Sequence, residues 1–340
     1  MTYTIALNFE DGVSRFIQCN ANEKVLDAAY RQQINLPMDC SDGVCGTCKC
    51  QCESGRFDLG DDYLEDALSD SEREQNMVLT CQMVPESDCI ITVPMASSLC
   101  KTAQQCFQTS ITNINALSPT TLELTLECAE TEIHFLSGQY VNLSTAQGDI
   151  TRPYSFSNLP GSSTLIFLIK NVPNGAMSGY LTQQAKPGDT MTITGPQGSF
   201  YLREVTRPLL LLAGGTGLAP MLSILYSLQQ RASSMPIHLL YGVSKDCDRV
   251  KSDVLTELTQ QLPNFTFQLC VSDPTTSEPL TGHITDHLRP EHLHGGDVDI
   301  YLCGPPTMVE SVIATLKEQQ IAPTNFYYEK FTPQTTAEQV

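Results

Sequence analysis

The feature that most constrains this chain is a group of cysteines near its N-terminus. Cys40, Cys45 and Cys48 are spaced C-x4-C-x2-C, and Cys81 follows after 32 further residues. Fourteen cysteines in a chain of 340 residues with no secretory signal favour free thiols and metal ligands over a disulfide framework. The spacing therefore indicates a loop that binds metal.

The same spacing is typical of a plant-type [2Fe–2S] site. Zinc is the alternative, but zinc sites usually have two short ligand pairs, and Cys81 has no such neighbour. Gly43 and Gly46 allow the loop to direct backbone N–H groups inward, where they stabilise an anionic cluster. The predicted cluster ligands are Cys40, Cys45, Cys48 and Cys81.

Charge sets the first hundred residues apart from the rest. They contain 17 Asp and Glu against 6 Lys and Arg, and the formal net charge of the chain is -19. This balance argues against binding to nucleic acid or to an anionic membrane, because both need basic residues. No apolar run approaches the roughly 18 residues of a membrane span, and the N-terminus lacks the basic and apolar regions of a secretory signal. We therefore expect a cytoplasmic protein.

The first domain is predicted to be a small α+β module. Residues 3–9 and 13–19 alternate around an Asp-Gly turn, which indicates a hairpin, and residues 25–34 carry a helical apolar face. Further elements are predicted as helices at Tyr63–Leu68 and Ser71–Gln75 and as strands at Met77–Met83 and Cys89–Val93. Cys50 and Cys52 continue a strand-like alternation from the loop, so we interpret them as sheet residues.

Two more domains are predicted after a linker at residues 95–105. From Cys106 to about Val205, six β-rich runs alternate with turns, which favours a small antiparallel barrel. From Pro208 onward strands alternate with helices, which is typical of a doubly wound parallel α/β domain. The predicted domain boundaries are 1–97, 104–206 and 207–340.

The barrel region carries two candidate motifs for a flat, phosphorylated ligand. Arg152-Pro153-Tyr154-Ser155 places a cation and an aromatic ring two residues apart, on one side of a strand. In the second motif, Ser178 is predicted to cap a helix over residues 179–185, whose N-terminus suits a phosphate. The alternatives are an edge-strand arginine beside a core tyrosine, and an ordinary helix cap.

The nucleotide motifs lie in the third domain. Leu209–Pro220 reads as a buried strand, a glycine turn and a helix, although Pro220 replaces the third glycine of G-x-G-x-x-G. Cys303 ends a strand at the sheet edge where ligands bind in such folds, so its thiol is a candidate ligand contact. The alternative interpretation is that Cys303 is a small buried residue of the core. Phe331 closes the last strand, where it would cover a flavin or simply cap the core.

Taken in order, these motifs resemble the ferredoxin–NAD(P)H reductase family. They are C-x4-C-x2-C…C, R-P-Y-S, G-A-M-S, G-G-T-G-L-A-P, C-G-P-P and E-K-F, and the resemblance spans about residue 3 to Phe331. Within that family the chain is most similar to reductase components of aromatic-ring 1,2-dioxygenases of the benzoate or anthranilate type. There a plant-type ferredoxin domain is fused N-terminally to the flavin reductase.

The resemblance implies a role for each motif residue. Arg152 would pair with the FAD pyrophosphate, Tyr154 would pack on the flavin, and Ser155 would lie near flavin N5. The other implied cofactor-binding residues are Lys170, Val172, Gly175, Met177 and Ser178 for FAD and Gly214, Gly215, Thr216 and Gly217 for NADH. The implied catalytic residues are Ser155, Cys303, Glu329 and Phe331, the last shielding the flavin.

The resemblance also implies an electron path from NADH through FAD to a [2Fe–2S] cluster, and on to a Rieske-type oxygenase that docks transiently on the acidic first domain. A flavin is needed because NADH gives two electrons as hydride, whereas the cluster accepts one. Asp246 and Asp248 favour the free 2′-hydroxyl of NADH over the phosphate of NADPH. The alternatives are a reductase for a diiron monooxygenase and a non-enzymatic iron–sulfur redox sensor.

Overall fold

A computed structural model describes residues 2–100, 106–128, 133–198 and 200–331. The chain divides into two compact units, one formed mainly by the residues up to 105 and the other mainly by those from 106 onward. Each unit has its own sheets and helices. In the described ranges, no helix combines the length and the apolar character that a membrane crossing requires.

The first unit is a five-stranded mixed sheet with a helix packed on it, as predicted for an α+β module. The strands lie in the order β2-β1-β7-β3-β5, and β1 runs antiparallel to β2 and parallel to β7. Its elements are β1 (Thr2–Phe9), β2 (Ser14–Asn20), α1 (Val25–Arg31), β3 (Lys49–Ser54), β4 (Phe57–Asp58), α2 (Asp70–Glu74), β5 (Met77–Leu79), β6 (Val84–Pro85) and β7 (Cys89–Val93).

Alternating burial explains this sheet. Ile5, Leu7 and Phe9 of β1 are buried, while the residues between them face outward, so one face of the hairpin covers the core. Helix α1 buries Val25 and Leu26 with two alanines against the same core.

Two predicted elements of the first unit are wrong. Tyr63–Leu68 forms a turn and not a helix, because Leu64 N–H donates to the Gly43 carbonyl at 3.0 Å and holds the segment against the cysteine loop. The strand predicted at Met77–Met83 ends at Leu79, whose carbonyl accepts from the N–H groups of Gln82 and Met83, each at 2.8 Å. This tight turn carries Cys81.

Part of the predicted linker belongs to the first unit. Met95 and Cys100 are buried, and Asp11 Oδ2 accepts hydrogen bonds from Ser97 N at 2.9 Å and Ser97 Oγ at 2.8 Å. Residues 95–100 are therefore packed, whereas residues 101–105 of that prediction lie outside the described residues.

The second unit begins with a six-stranded antiparallel barrel, and all six predicted strands are present. Their order is β11-β10-β13-β8-β9-β12, and an antiparallel bridge between Phe156 and Phe167 joins the two ends of the sheet. The elements are β8 (Cys106–Ser118), β9 (Thr121–Glu127), β10 (Tyr140–Thr145), β11 (Thr151–Ser155), β12 (Thr164–Lys170), α3 (Ala176–Gln183) and β13 (Thr190–Gln197).

The remainder of this unit is an α/β domain, as predicted. Its five strands are parallel, in the order β16-β15-β14-β17-β18, so the chain runs outward from β14 in both directions. The elements are β14 (Leu209–Gly214), α4 (Leu218–Gln230), β15 (Ile237–Val243), α5 (Ser252–Gln261), β16 (Phe265–Val271), α6 (Pro290–Leu293), β17 (Asp299–Gly304), α7 (Pro306–Glu318) and β18 (Asn325–Lys330).

Burial on both faces fixes the central position of β14. All six of its residues are buried, with Leu209 and Leu211 in one apolar cluster and Leu210 and Leu212 in the other. Ligands bind such sheets at the carboxyl ends of the strands where the order reverses, which here is the edge between β14 and β17. The fold class agrees with the prediction, while the three domain boundaries remain predictions.

Candidate functional site

The cysteine loop brings the four predicted ligands together in two pairs. Cys45, Cys48 and Cys81 are buried and Cys40 is half-buried. The Cys48 and Cys81 sulfurs are 3.2 Å apart, and the Cys40 and Cys45 thiols share a hydrogen bond. Three backbone N–H groups donate to Cys40 Sγ, each at 3.4 Å, from Asp42, Val44 and Cys45.

The pKa values of the thiols in the two cysteine pairs suit the binding of a metal group. The hydrogen bond from the Cys45 thiol lowers the pKa of Cys40 to about 5, and the bond from the Cys48 thiol likewise lowers the pKa of Cys81. The same bonds, with burial, raise the pKa of Cys45 and Cys48. Each pair thus contains one thiol that readily becomes the thiolate that metals bind.

The pairing fits two irons better than one zinc ion. Over the residues described, no three His, Cys, Asp or Glu side chains converge on a single metal position. A structural zinc site needs four ligands around one ion, whereas in a [2Fe–2S] group each iron takes two cysteines. Cys50 and Cys52 are buried on β3, opposite Val78 and Ile91, so they lie in the sheet as interpreted.

Gly43 shows why this loop needs glycine. Its φ of +74° is left-handed, and a Cβ there would come within 2.7 Å of the Asp62 carbonyl oxygen and of Tyr63 Cβ. In this conformation its N–H group donates toward Cys81, which contributes to lowering the pKa of that thiol. The N–H groups of the loop therefore point toward the sulfurs, as the sequence predicted.

In the barrel, Arg152 and Tyr154 stand on one side of β11. They pair with Leu143 and Val141 of β10, and Arg152 Nη1 donates to the Thr151 carbonyl at 2.7 Å. Burial raises the pKa of Tyr154, so its ring remains neutral. A neutral aromatic surface beside a guanidinium can accept a flat ring that carries phosphate.

The predicted cap at Ser178 is wrong, because helix α3 begins earlier. Gly175 is its N-cap and provides no side-chain cap. Ser178 lies in the first turn, where its hydroxyl accepts from Val172 N at 3.2 Å and donates to the Val172 carbonyl at 3.0 Å. The N-terminal N–H groups of α3 are therefore not used by a capping side chain, which fits an anion. Met177 is buried in the barrel core, and Lys170 ends β12.

The glycine turn after β14 has two functions. A Cβ on Gly217 would collide with the carbonyl of Cys303, so glycine lets the turn approach β17. Gly215 has a φ of +54° and open space around its Cα, which leaves room for a ligand. Thr216 is buried between them, and Pro220 is the third residue of α4.

Three of the four predicted catalytic residues meet at one carboxylate. Ser155 Oγ donates to Glu329 Oε2 at 3.2 Å, and Cys303 Sγ lies 3.8 Å from the same oxygen. All three residues are buried, and they come from β11, β17 and β18. We call them the carboxylate site. It lies between the barrel and the carboxyl edge of the parallel sheet.

Phe331 follows the carboxylate site directly. Its N–H group donates to the Gly304 carbonyl at 2.9 Å, and its ring packs against the apolar cluster around β14 and α4. The backbone of Phe331 is thus fixed beside the last residue of β17.

The two acidic residues expected to favour NADH are already bonded to protein. Asp246 accepts from Thr276 Oγ1 and from Ser277 N, the latter at 3.3 Å. Asp248 accepts from Lys245 N at 3.0 Å and from Thr120 Oγ1 at 2.7 Å. Their negative charge still disfavours a 2′-phosphate, but their carboxylates also fasten the loop.

Sequence reasoning missed the contacts that join the barrel to the α/β domain. Besides Thr120, the structure pairs Lys251 with Glu123 and places Ser137 Oγ 2.6 Å from Ser227 Oγ. These partners are 90 or more residues apart in the chain, and no motif marks them.

Three families match successive parts of the chain. Residues 8–86 match the 2Fe-2S iron-sulfur cluster binding domain, residues 108–201 the oxidoreductase FAD-binding domain, and residues 211–313 the oxidoreductase NAD-binding domain. The predicted cofactors, a [2Fe–2S] cluster, FAD and NADH, are thereby confirmed.

Full-length relatives decide the family. The chain is 52% identical over 332 residues to the toluate 1,2-dioxygenase electron transfer component of Pseudomonas putida, covering 97% of this chain and 99% of the relative. It is 46% identical to the 2-halobenzoate 1,2-dioxygenase electron transfer component of Burkholderia cepacia, covering 98% and 99%. The chain belongs to the family of dioxygenase electron transfer components. The predicted resemblance is thus confirmed, and this electron transfer component is an NADH-dependent flavin and iron–sulfur oxidoreductase.

Solved structures share the fold of this chain. An Amycolatopsis cytochrome P450 reductase is 30% identical to this electron transfer component, with a TM-score of 0.75 and coverage of 97% of this chain and 99% of that one. A ferredoxin reductase of carbazole 1,9a-dioxygenase shows the same fold, with a TM-score of 0.66 over 98% of this chain and 99% of that one.

Proposed function

We propose that this chain takes hydride from NADH at the carboxylate site and passes single electrons to a Rieske-type oxygenase that acts on an aromatic carboxylate. The observation that carries the proposal is the meeting of Ser155, Cys303 and Glu329 where the FAD-binding barrel joins the NAD-binding sheet. The curated relatives named for toluate, 2-halobenzoate and anthranilate dioxygenases support an aromatic carboxylate as the partner's substrate.

Bound FAD supplies hydride acceptance and one-electron release. The chain's own residues orient and protect that exchange. Glu329 holds the Ser155 hydroxyl and the Cys303 thiol at one oxygen. Both side chains would then be positioned toward bound flavin and nicotinamide. The Ser155 hydroxyl can hold or pass a proton at Oγ, with Glu329 as its acceptor. Burial of all three residues keeps water from this contact.

The remaining predicted residues would hold the two nucleotides. Arg152 and Tyr154 would bind the pyrophosphate and the flavin ring, and the first turn of α3 would take phosphate at its free N–H groups. The turn at residues 214–217 would take the NADH pyrophosphate. Cys40, Cys45, Cys48 and Cys81 would hold the cluster.

We place partner docking on the acidic segment beside the cysteine loop. Asp61 and Asp62 are exposed there, and Leu64, which is 50% exposed, is bonded through its N–H group to the Gly43 carbonyl. An apolar side chain between carboxylates fits a partner surface with an apolar centre and basic residues around it. Such electron-transfer contacts are small, transient and sensitive to salt.

The cytoplasm is our proposed location. None of the fourteen cysteines is in a disulfide, and all of them lie in the described part of the chain. A protein with so many unpaired thiols suits a reducing compartment.

Anaerobic titration of the purified holoenzyme with NADH tests the central proposal. We expect the flavin absorbance near ~450 nm and the broad cluster absorbance to bleach together. Electrons should then reach a purified benzoate-type oxygenase component. Bleaching without transfer to that component, together with transfer to a monooxygenase component, would favour the monooxygenase alternative. The monooxygenase alternative is included because a phenol hydroxylase P5 protein of Acinetobacter pittii is 30% identical to this chain. Absence of NADH-dependent ferricyanide reduction would instead support the redox sensor.

Charge reversal tests the docking surface. Asp58→Lys, Asp61→Lys and Asp62→Lys should each slow reduction of the oxygenase several-fold at low salt, and the effect should vanish at high salt. Glu10→Lys, in the hairpin between β1 and β2, makes the same charge change elsewhere in this unit and serves as the control. Equal rates in all four variants at low salt would reject docking at this segment.

A further inference from the structure

The loop after β15 is bound to the barrel at two points. We call residues 244–251 the β15 loop, since they connect β15 to α5. Thr120 Oγ1, just before β9, donates to Asp248 Oδ1 at 2.7 Å. Lys251 Nζ forms an ion pair with Glu123 Oε2 on β9. The loop therefore bridges the FAD-binding and NAD-binding parts of the second unit.

The ion pair is sheltered from solvent, and the backbone of Lys251 has an uncommon conformation. The side chains of Lys251 and Glu123 are only 22% and 14% exposed, so salt and water screen their attraction less than at an open surface. Lys251 has a φ of 60° and a ψ of 22°, a left-handed conformation that is uncommon for a residue with a side chain. Its carbonyl accepts from Leu255 N at 3.0 Å and begins α5. The residue is thus fixed at both its side chain and its backbone.

The opposite side of the β15 loop is bound within the α/β domain. Asp246 accepts from Thr276 and Ser277, and Arg249 pairs with Glu278. The loop is therefore attached on one side to the segment after β16 and on the other to the barrel. These contacts connect the α/β domain to the barrel through the β15 loop.

We propose that the Lys251–Glu123 ion pair and the Thr120–Asp248 hydrogen bond form a latch that sets the position of NADH relative to the flavin. The proposal rests on the function proposed above. Hydride donor and acceptor are held by different domains, and transfer is efficient only when the reacting atoms are about 3–3.5 Å apart. β15 and β18 lie on opposite sides of β14, so the latch and the Ser155–Glu329 contact fix the sheet against the barrel at two separate points. Lys251 and Glu123 are positioning residues.

Rapid anaerobic mixing of the full-length holoenzyme with NADH tests the latch. Flavin bleaching is followed over a range of NADH concentrations in the wild type, Lys251→Met and Glu123→Gln. We expect the limiting rate to fall about tenfold in both variants, with the apparent Kd for NADH changed less than about twofold. The exchanged pair Glu123→Lys with Lys251→Glu should recover most of the rate. Lys317→Met, on an exposed position of α7, removes the same charge and is the control.

The outcomes separate this proposal from the one on which it rests. If the wild type is not bleached by NADH, the proposed function fails. If the wild type is bleached and both variants match the Lys317→Met control, the latch is refuted. Thr120→Val covers the case in which the charge variants lose FAD, since it removes the hydrogen bond to Asp248 without changing any charge. With 4-deuterated NADH, slower bleaching that keeps its isotope effect supports misplaced hydride transfer, whereas loss of the isotope effect overturns it.

Discussion

The cysteine loop and the carboxylate site are built in opposite ways. In the loop, three of four predicted ligands lie within nine residues, and neighbouring backbone N–H groups donate to the Cys40 sulfur. In the carboxylate site, Ser155 and Glu329 are 174 positions apart and come from different sheets. A local site is determined by loop conformation, whereas a dispersed site depends on how two domains pack. The predictions below test this difference.

Loss of one predicted cluster ligand should abolish the function of the cysteine loop and leave the carboxylate site active. Cys81→Ser removes a sulfur from the buried pair, so iron and acid-labile sulfide should be nearly absent and NADH-dependent cytochrome c reduction should fall at least ~100-fold. NADH-dependent ferricyanide reduction should stay within about twofold, because the carboxylate site belongs to the other unit. Cys50→Ala, at another buried cysteine, should keep its iron. Normal iron content in Cys81→Ser would contradict the ligand assignment.

Glu329→Gln should give the reverse result. It replaces the carboxyl group that Ser155 and Cys303 contact with an amide, so the limiting rate of flavin bleaching by NADH should fall roughly 100-fold while iron content is unchanged. Glu318→Gln, at an exposed position at the end of α7, is the matched control and should change the rate less than about twofold. A rate in Glu329→Gln equal to that control would show that the carboxylate does not serve the reaction.

Gly43→Ala should measure how strongly the conformation of the cysteine loop depends on glycine. The left-handed backbone and the 2.7 Å approach to Asp62 should together lower the free energy of unfolding by about 2–4 kcal/mol and reduce bound iron. Gly60→Ala is also left-handed but has no atom within 4 Å of the new Cβ, so it should cost only about 1 kcal/mol and keep its iron. Urea unfolding and iron analysis check both values. Equal losses in the two variants would mean that crowding at Gly43 is unimportant.

The smallest effect is expected at the amino edge of the parallel sheet, away from the carboxylate site. His238 stacks on His292 with 4.1 Å between ring centroids, and burial lowers the pKa of His238 to about 4. Because the folded chain keeps this ring neutral while the unfolded chain binds a proton below about pH 6.5, stability is lost as pH falls from about 6.5 toward 4.

Comparison of stability at pH 7 and pH 5 tests this shift. The wild type should lose about 1 kcal/mol more than His238→Asn over that interval, after allowance for partial solvent screening. His283→Asn, at an exposed histidine, should behave like the wild type. Parallel pH dependence in the wild type and His238→Asn would refute the assignment.

Much of the fold followed from patterns with a short range. Alternation gave the six barrel strands, and the buried run Leu209–Leu212 marked the centre of the parallel sheet. The errors arose where a hydrogen bond that no sequence pattern marks decided the local structure. Tyr63–Leu68 is a turn because its N–H group at Leu64 is taken by Gly43, and Ser178 bonds back to Val172 instead of capping a helix.

The amino-acid sequence alone determined the fold class and the order of the three sets of motifs, and it predicted the four sulfur ligands, because each of these depends on patterns within one part of the chain. Only the tertiary structure decided that Glu329 would face both Ser155 and Cys303, and that Thr120 would meet Asp248 across 128 positions. Such contacts arise when two separately patterned domains pack together, and the spacing within each domain carries no record of which side chains then meet.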